Sequence, residues 1–184
     1  MRIFILRNEE SFIDKTMFVP LTRNGINKSK NLLKIINNLN INIIVSSPYI
    51  RTLQTIYPYS KYKNIQIKLD YSLIEEYNAN YIPRITSFDF PDYFINQFYI
   101  DHKYTSITMP KEIKYNEGLE NVQRRIKKLF KYLMITFGNS NQNILLVTHK
   151  IIINNIIKIG SKSKHTLIPR DYPNNYNYPN GCIT

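Results

Sequence analysis

Four short apolar runs, spaced through the chain and mostly separated by segments with helical periodicity, constrain its architecture more than any other feature. They are Arg2-Ile3-Phe4-Ile5-Leu6, Ile41 to Val45, Ile65 to Leu69 and Asn143 to Val147. The first and fourth suit strands buried on both faces, as in a parallel sheet, while Ile41 to Val45, with Asn42, and Ile65 to Leu69, with Gln66 and Lys68, read as strands between them. Between the first two, Thr22 is placed to cap a helix from about Arg23 to Leu39, with Ile26, Leu32, Leu33, Ile36 and Leu39 on its apolar side. After the second run, Ser47 followed by Pro48 reads as an N-cap with proline at the first helical position, opening a helix to about Tyr59. Alternating strands and helices predict an α/β fold, a three-layer α/β/α arrangement around a mostly parallel central sheet.

The rhythm breaks between Tyr71 and Tyr115, where Pro83, Pro91, Pro110 and many aromatic residues point to an insertion holding short helices at most. It is expected to cover the mouth of the sheet. From Glu117 to about Phe137 the pattern is again helical, with Val122, Ile126, Leu129, Leu133 and Phe137 on one side. The basic cluster Arg124, Arg125, Lys127 and Lys128 reads as its solvated face. A further helix is expected from about Lys150 to Ile159. The stretch from Lys162 to Asn180 reads as loop, and Gly181-Cys182-Ile183-Thr184 as the start of a last strand. Neither a repeat nor a linker divides the chain, so residues 1–184 are expected to form one domain with its insertion at about 71–115.

Composition narrows the functional classes. The formal charge of +12 favours phosphorylated, nucleic-acid or acidic partners. Yet the lysines are scattered, and a chain rich in Asn, Ile, Lys and Tyr with Ala79 as its one alanine reflects AT-rich coding as much as a binding surface. Arginine in such a chain carries more meaning, because lysine cannot supply the planar two-pronged geometry. The lone Cys182 excludes an internal disulfide framework, and His102, His149 and His165 lack metal-ligand spacing with it. No metal or cofactor is therefore expected. With no apolar run of about 18 residues and no signal-peptide pattern, the expectation is an intracellular, cytoplasmic protein with no membrane segment.

In an open parallel sheet the ligand site lies beyond the carboxyl ends of the strands. Arg7 and Asn8 follow the first strand, Ser46 to Arg51 the second and His149 the fourth, so three remote segments are expected to meet at one edge. Two guanidiniums beside a helix N-terminus would make an anion cradle.

The same residues carry a family resemblance. Arg7-Asn8-Glu9-Glu10, then Pro20-Leu21-Thr22 with Gly25, then Ser46-Ser47-Pro48 with Arg51 and Gln54-Thr55, and finally Leu146-Val147-Thr148-His149 stand in the order of the motifs of the histidine phosphatase superfamily. The chain resembles its phosphoglycerate mutase-like members from residue 2 to about residue 160. By this resemblance Arg7 and Arg51 are phosphate-binding arginines, His149 is the second pocket histidine, and Glu75 falls at the general acid. Glu76 is adjacent, so the choice between the two carboxylates stays open. Asn8 stands where the family has its nucleophilic histidine, and Glu9 replaces a common glycine.

The resemblance thus implies a catalytically impaired pseudoenzyme that keeps a phosphate or phosphoester pocket, its partner a phosphorylated small molecule or phosphoprotein. An amide nitrogen, delocalised into its carbonyl, offers no lone pair for attack on phosphorus. An alternative is an active phosphomonoesterase using Glu75 as acid, with His149 or an activated water attacking. A third is a non-enzymatic assembly or nucleic-acid-binding protein, suggested by the charge and the fifteen tyrosines.

Overall fold

A computed structural model of the protein describes residues 1–13, 16–78, 91–161 and 181. The four apolar runs form four strands: β1 (Arg2–Arg7), β2 (Ile43–Ser46), β3 (Ile67–Leu69) and β4 (Asn143–Thr148). They pair in the order β1-β4-β2-β3, and every pairing is parallel. Helices α1 (Arg23–Asn37) and α2 (Ile50–Lys63) cover one face, while α4 (Gly118–Phe137) and α5 (Lys150–Ser161) cover the other. The pleat divides the strands between the two cores. Ile144 and Leu146 pack with Val122, Ile126 and Leu129 of α4 and Ile152, Ile153 and Ile156 of α5. Leu145 and Val147 face the other way, against Leu32 and Ile36 of α1 and Leu53 and Ile56 of α2. The expected three layers are present because the strands have apolar residues to offer both faces.

Local chemistry accounts for the element ends. The Thr22 side chain accepts from the Gly25 N–H at 3.0 Å and so caps α1, as the sequence predicts. Gly25 is there for space, since a Cβ would lie 2.1 Å from the Glu10 carbonyl oxygen. Helix α2 departs from expectation at both ends. It starts at Ile50, with Tyr49 as its N-cap; the Ser47 hydroxyl lies 2.9 Å from His149 Nε2 and accepts a long bond from the Tyr49 N–H at 3.4 Å. It then runs through Pro58 to Lys63 and stops at Asn64, whose left-handed φ of 55° provides the C-cap.

Outside residues 79–90, which are not described, the stretch from Tyr71 to Tyr115 holds only short elements. Its described residues carry 3-10 turns at Tyr71–Leu73 and Pro110–Glu112 and one short helix, α3 (Asp92–Ile95). Asp70 organises the near end: it is fully buried, with Oδ1 accepting from the Ser72 N–H and Oδ2 from the Tyr104 hydroxyl and the Ile107 N–H. The predicted loop at 162–180, Cys182 and His165 lie outside the described residues, and Gly181 is in a turn.

Candidate functional site

Register decides which residues meet. Arg7 of β1 pairs with Thr148 of β4, and Ser46 of β2 with Val147, so Asn8, Ser47 and His149 all emerge at the carboxyl edge of three adjacent strands. The Asn8 N–H still donates to the Thr148 carbonyl at 3.0 Å, which extends the ladder by one residue. Its side chain is buried and turns back locally, Nδ2 donating to the Glu9 carbonyl at 2.8 Å.

The motif residues downstream hold this loop in place. Thr55 Oγ1 accepts from the Glu9 N–H at 2.9 Å and donates to the Arg51 carbonyl at 2.7 Å. Gln54 Oε1 accepts from the Leu21 N–H at 2.7 Å. The Gln54-Thr55 pair thus ties the first loop to α2. The Glu9 carboxyl is buried beside Gly181, where an added Cβ would fall 1.9 Å from its Oε1. Burial raises its pKa, against the opposing pull of Lys28.

Arg51 is buried in the first turn of α2. Its Nη1 donates to the Thr16 carbonyl at 2.8 Å, its Nη2 lies 3.3 Å from Glu75 Oε2, and its guanidinium sits 4.6 Å from the centre of the Tyr49 ring. The same Glu75 oxygen is 3.6 Å from His149 Nδ1. Glu75 therefore stands between the guanidinium and the imidazole. Its neighbour Glu76 is directed elsewhere, with Oε1 3.4 Å from Asn78 Nδ2.

The His149 ring packs edge-on against Tyr49, with centroids 4.9 Å apart. Burial pushes its pKa well below the ordinary value, and the Arg51, Arg125 and Arg7 guanidiniums add to the shift. At neutral pH the imidazole is uncharged. This predicts a pH dependence with a definite sign. The folded-state pKa lies below the unfolded one of about 6.5, so the unfolded chain takes up a proton that the folded chain refuses as pH falls through that value. Urea midpoints should fall between about pH 7.5 and 5.5, by up to about 1.4 kcal/mol per pH unit from this group. The slope should flatten in His149→Asn; equal slopes would contradict the assignment.

One member of the expected solvated face is misplaced by sequence reasoning. Arg124, Lys127 and Lys128 are exposed, but Arg125 is only 4 % exposed. Its Nε and Nη2 grip the buried Glu117 carboxylate at 2.8 and 3.1 Å. Nη1 donates to the Ser72 carbonyl at 2.6 Å and Nη2 to that of Glu75 at 3.2 Å. Arg125 thereby anchors the backbone that carries Glu75. Residue type does not find it, since the adjacent Arg124 is an arginine too and is exposed. Ser47, beside His149 Nε2, belongs to the expected motif, whereas Tyr49, whose ring packs on the imidazole, carries no signal of its own.

Among the described residues no group of His, Cys, Asp and Glu could hold a metal ion, and no helix is long and apolar enough to cross a membrane. Arg51, Glu75, His149 and Ser47 thus lie within reach of one another, with Arg7 near enough to His149 to act on its charge and Asn8 at the end of the adjacent strand. A family profile of the histidine phosphatase superfamily (branch 1) matches residues 6–170, which span all of these. The chain belongs to that superfamily.

Solved histidine phosphatase structures share its fold. The ecdysone phosphate phosphatase of Bombix mori, in complex with tungstate, superposes with a TM-score of 0.75 over 100 % of this chain and 88 % of its own at 14 % identity. A mycobacterial glucosyl-3-phosphoglycerate phosphatase with inorganic phosphate gives 0.64 at 16 % identity, covering 88 % of this chain and 79 % of that one. The alpha-ribazole phosphatase of Shigella flexneri gives 0.61 at 18 %, covering 86 % and 79 %. Among curated proteins none matches the sequence significantly.

Proposed function

We propose that this histidine phosphatase superfamily protein binds a phosphorylated small molecule or phosphoprotein through Arg7, Arg51 and His149, and that it is a pseudoenzyme which forms no phosphohistidine. The observation that carries this reading is Asn8 at the end of β1, beside Arg7 and bonded through its backbone to Thr148. A carboxamide there can donate to a phosphate oxygen but cannot attack phosphorus. The arginines supply the charge and the fork geometry that a phosphate monoester needs.

His149 and Glu75 take defined parts in this reading. If the Ser47 hydroxyl donates to Nε2 of the neutral imidazole, Nδ1 carries the proton and becomes a donor toward the pocket. An incoming phosphate competes with Glu75 for Arg51, so the carboxyl either swings aside or takes a proton and donates it to an ester oxygen.

Removing the buried guanidinium tests the pocket. Arg51→Ala should weaken binding of inorganic phosphate by about 10- to 100-fold in calorimetry, the worth of a charge-assisted hydrogen bond. Unchanged affinity would remove the pocket from the account.

One observation favours a second reading, an active phosphomonoesterase in which Glu75 is the acid and His149 or an activated water attacks phosphorus: Glu75 lies within 3.6 Å of both Arg51 and His149. In that case hydrolysis is lost in His149→Ala and indifferent to Asn8→Ala.

A further inference from the structure

The loop that leaves β1 returns to the anion pocket. The Thr16 carbonyl accepts from Arg51 Nη1, and the Met17 carbonyl accepts from the Ile50 N–H at 2.9 Å. Met17 is buried with Tyr49, the residue whose ring touches both Arg51 and His149, and Phe94 packs against the same cluster. The next residue, Phe18, is 42 % exposed, and its ring centre is 5.8 Å from that of Phe94. Phe94 in turn lies 4.7 Å from Tyr93, which is 65 % exposed. Phe94 thus meets an exposed ring on either side, Phe18 from a segment distant in sequence and its neighbour Tyr93, while itself packing on the cluster that holds Met17 and Tyr49.

Rings left in water at the margin of a polar site offer a face to something that covers them. A flat apolar body can stack on them, and the Tyr49 ring in the same cluster already carries the contact inward to Arg51.

We propose that Phe18, Phe94 and Tyr93 form the subsite for the organic half of a phosphomonoester, and that this half is aromatic or similarly flat and apolar. This rests on the phosphate pocket proposed above and adds the class of ligand that it takes. Calorimetry with inorganic phosphate, 1-naphthyl phosphate and 3-phosphoglycerate tests it. In the native chain 1-naphthyl phosphate should bind at least about tenfold more tightly than phosphate, and 3-phosphoglycerate no more tightly than phosphate. The double variant Phe18→Ala, Tyr93→Ala alters exposed rings and should keep the fold. It should bring 1-naphthyl phosphate down to within about threefold of phosphate while leaving phosphate affinity unchanged. Equal affinities in the native chain, or a naphthyl preference that survives the double variant, would overturn the subsite alone. Failure of all three to bind would overturn the phosphate pocket and the subsite with it.

Discussion

Asn8→His is expected to raise hydrolysis of an aryl phosphate to at least about a hundredfold above the native chain, through a phosphoenzyme that can be trapped on residue 8. The local geometry is already arranged for the exchange. Asn8 Nδ2 donates to the Glu9 carbonyl at 2.8 Å. An imidazole in the same orientation can present Nδ1–H to that carbonyl, which leaves Nε2 unprotonated with its lone pair directed outward. Arg7 and Arg51 would draw the phosphate, and Glu75 would supply the leaving group's proton. The proper control is phosphate binding. A variant that binds phosphate like the native chain and still shows no turnover would mean that nucleophile position and anion position no longer correspond. Robust turnover by the native chain would end the pseudoenzyme reading directly.

Arg125→Met should lower stability by about 3–5 kcal/mol, read as a fall in the urea midpoint. Little of that loss is packing. The substitution leaves the Glu117 carboxylate, itself almost wholly buried, without its two charge-assisted bonds, and it leaves the Ser72 and Glu75 carbonyls without their donor. Arg125→Lys retains the charge but cannot grip both carboxylate oxygens while reaching two carbonyls, so it should fall between. Removing both charges at once, Arg125→Met with Glu117→Leu, should recover much of the loss, because no buried ion is then stranded. If the single substitution proves as mild as one on the exposed Lys127, the buried pair does not hold the Glu75 segment.

Residues 8 and 125 differ in how much of their role can be read from sequence. Position 8 is legible because its meaning is topological: an apolar run ends there, and parallel pairing sends the next residue to the sheet edge with Ser47 and His149. β1 and β4 are legible because a run that is apolar on both faces has few other places to go, whereas β3 is legible from the alternation of Ile65, Ile67 and Leu69 with polar residues. Arg125 is not, because its burial depends on Ser72 and Glu75, about fifty residues away in sequence, and a pattern of basic residues along one helix contains nothing of that contact. The start of α2 fails likewise: Ser47-Pro48 has cap chemistry, but the helix begins at Ile50 and the Ser47 hydroxyl meets His149, about a hundred residues downstream. Glu75 and Glu76 are indistinguishable as neighbours in sequence and become distinct only through Arg51 and His149.

The strand order has a consequence for how the chain acquires its shape during synthesis. Among the described residues β1 pairs with β4 alone, and β4 also separates β1 from β2, yet it is the last of the four to leave the ribosome. Until residues 143–148 emerge, β1 has no neighbour and the inner edge of β2 is an open template for other chains. The pairing that closes the sheet spans about 140 residues, a separation that makes for slow folding and a long wait with exposed edges.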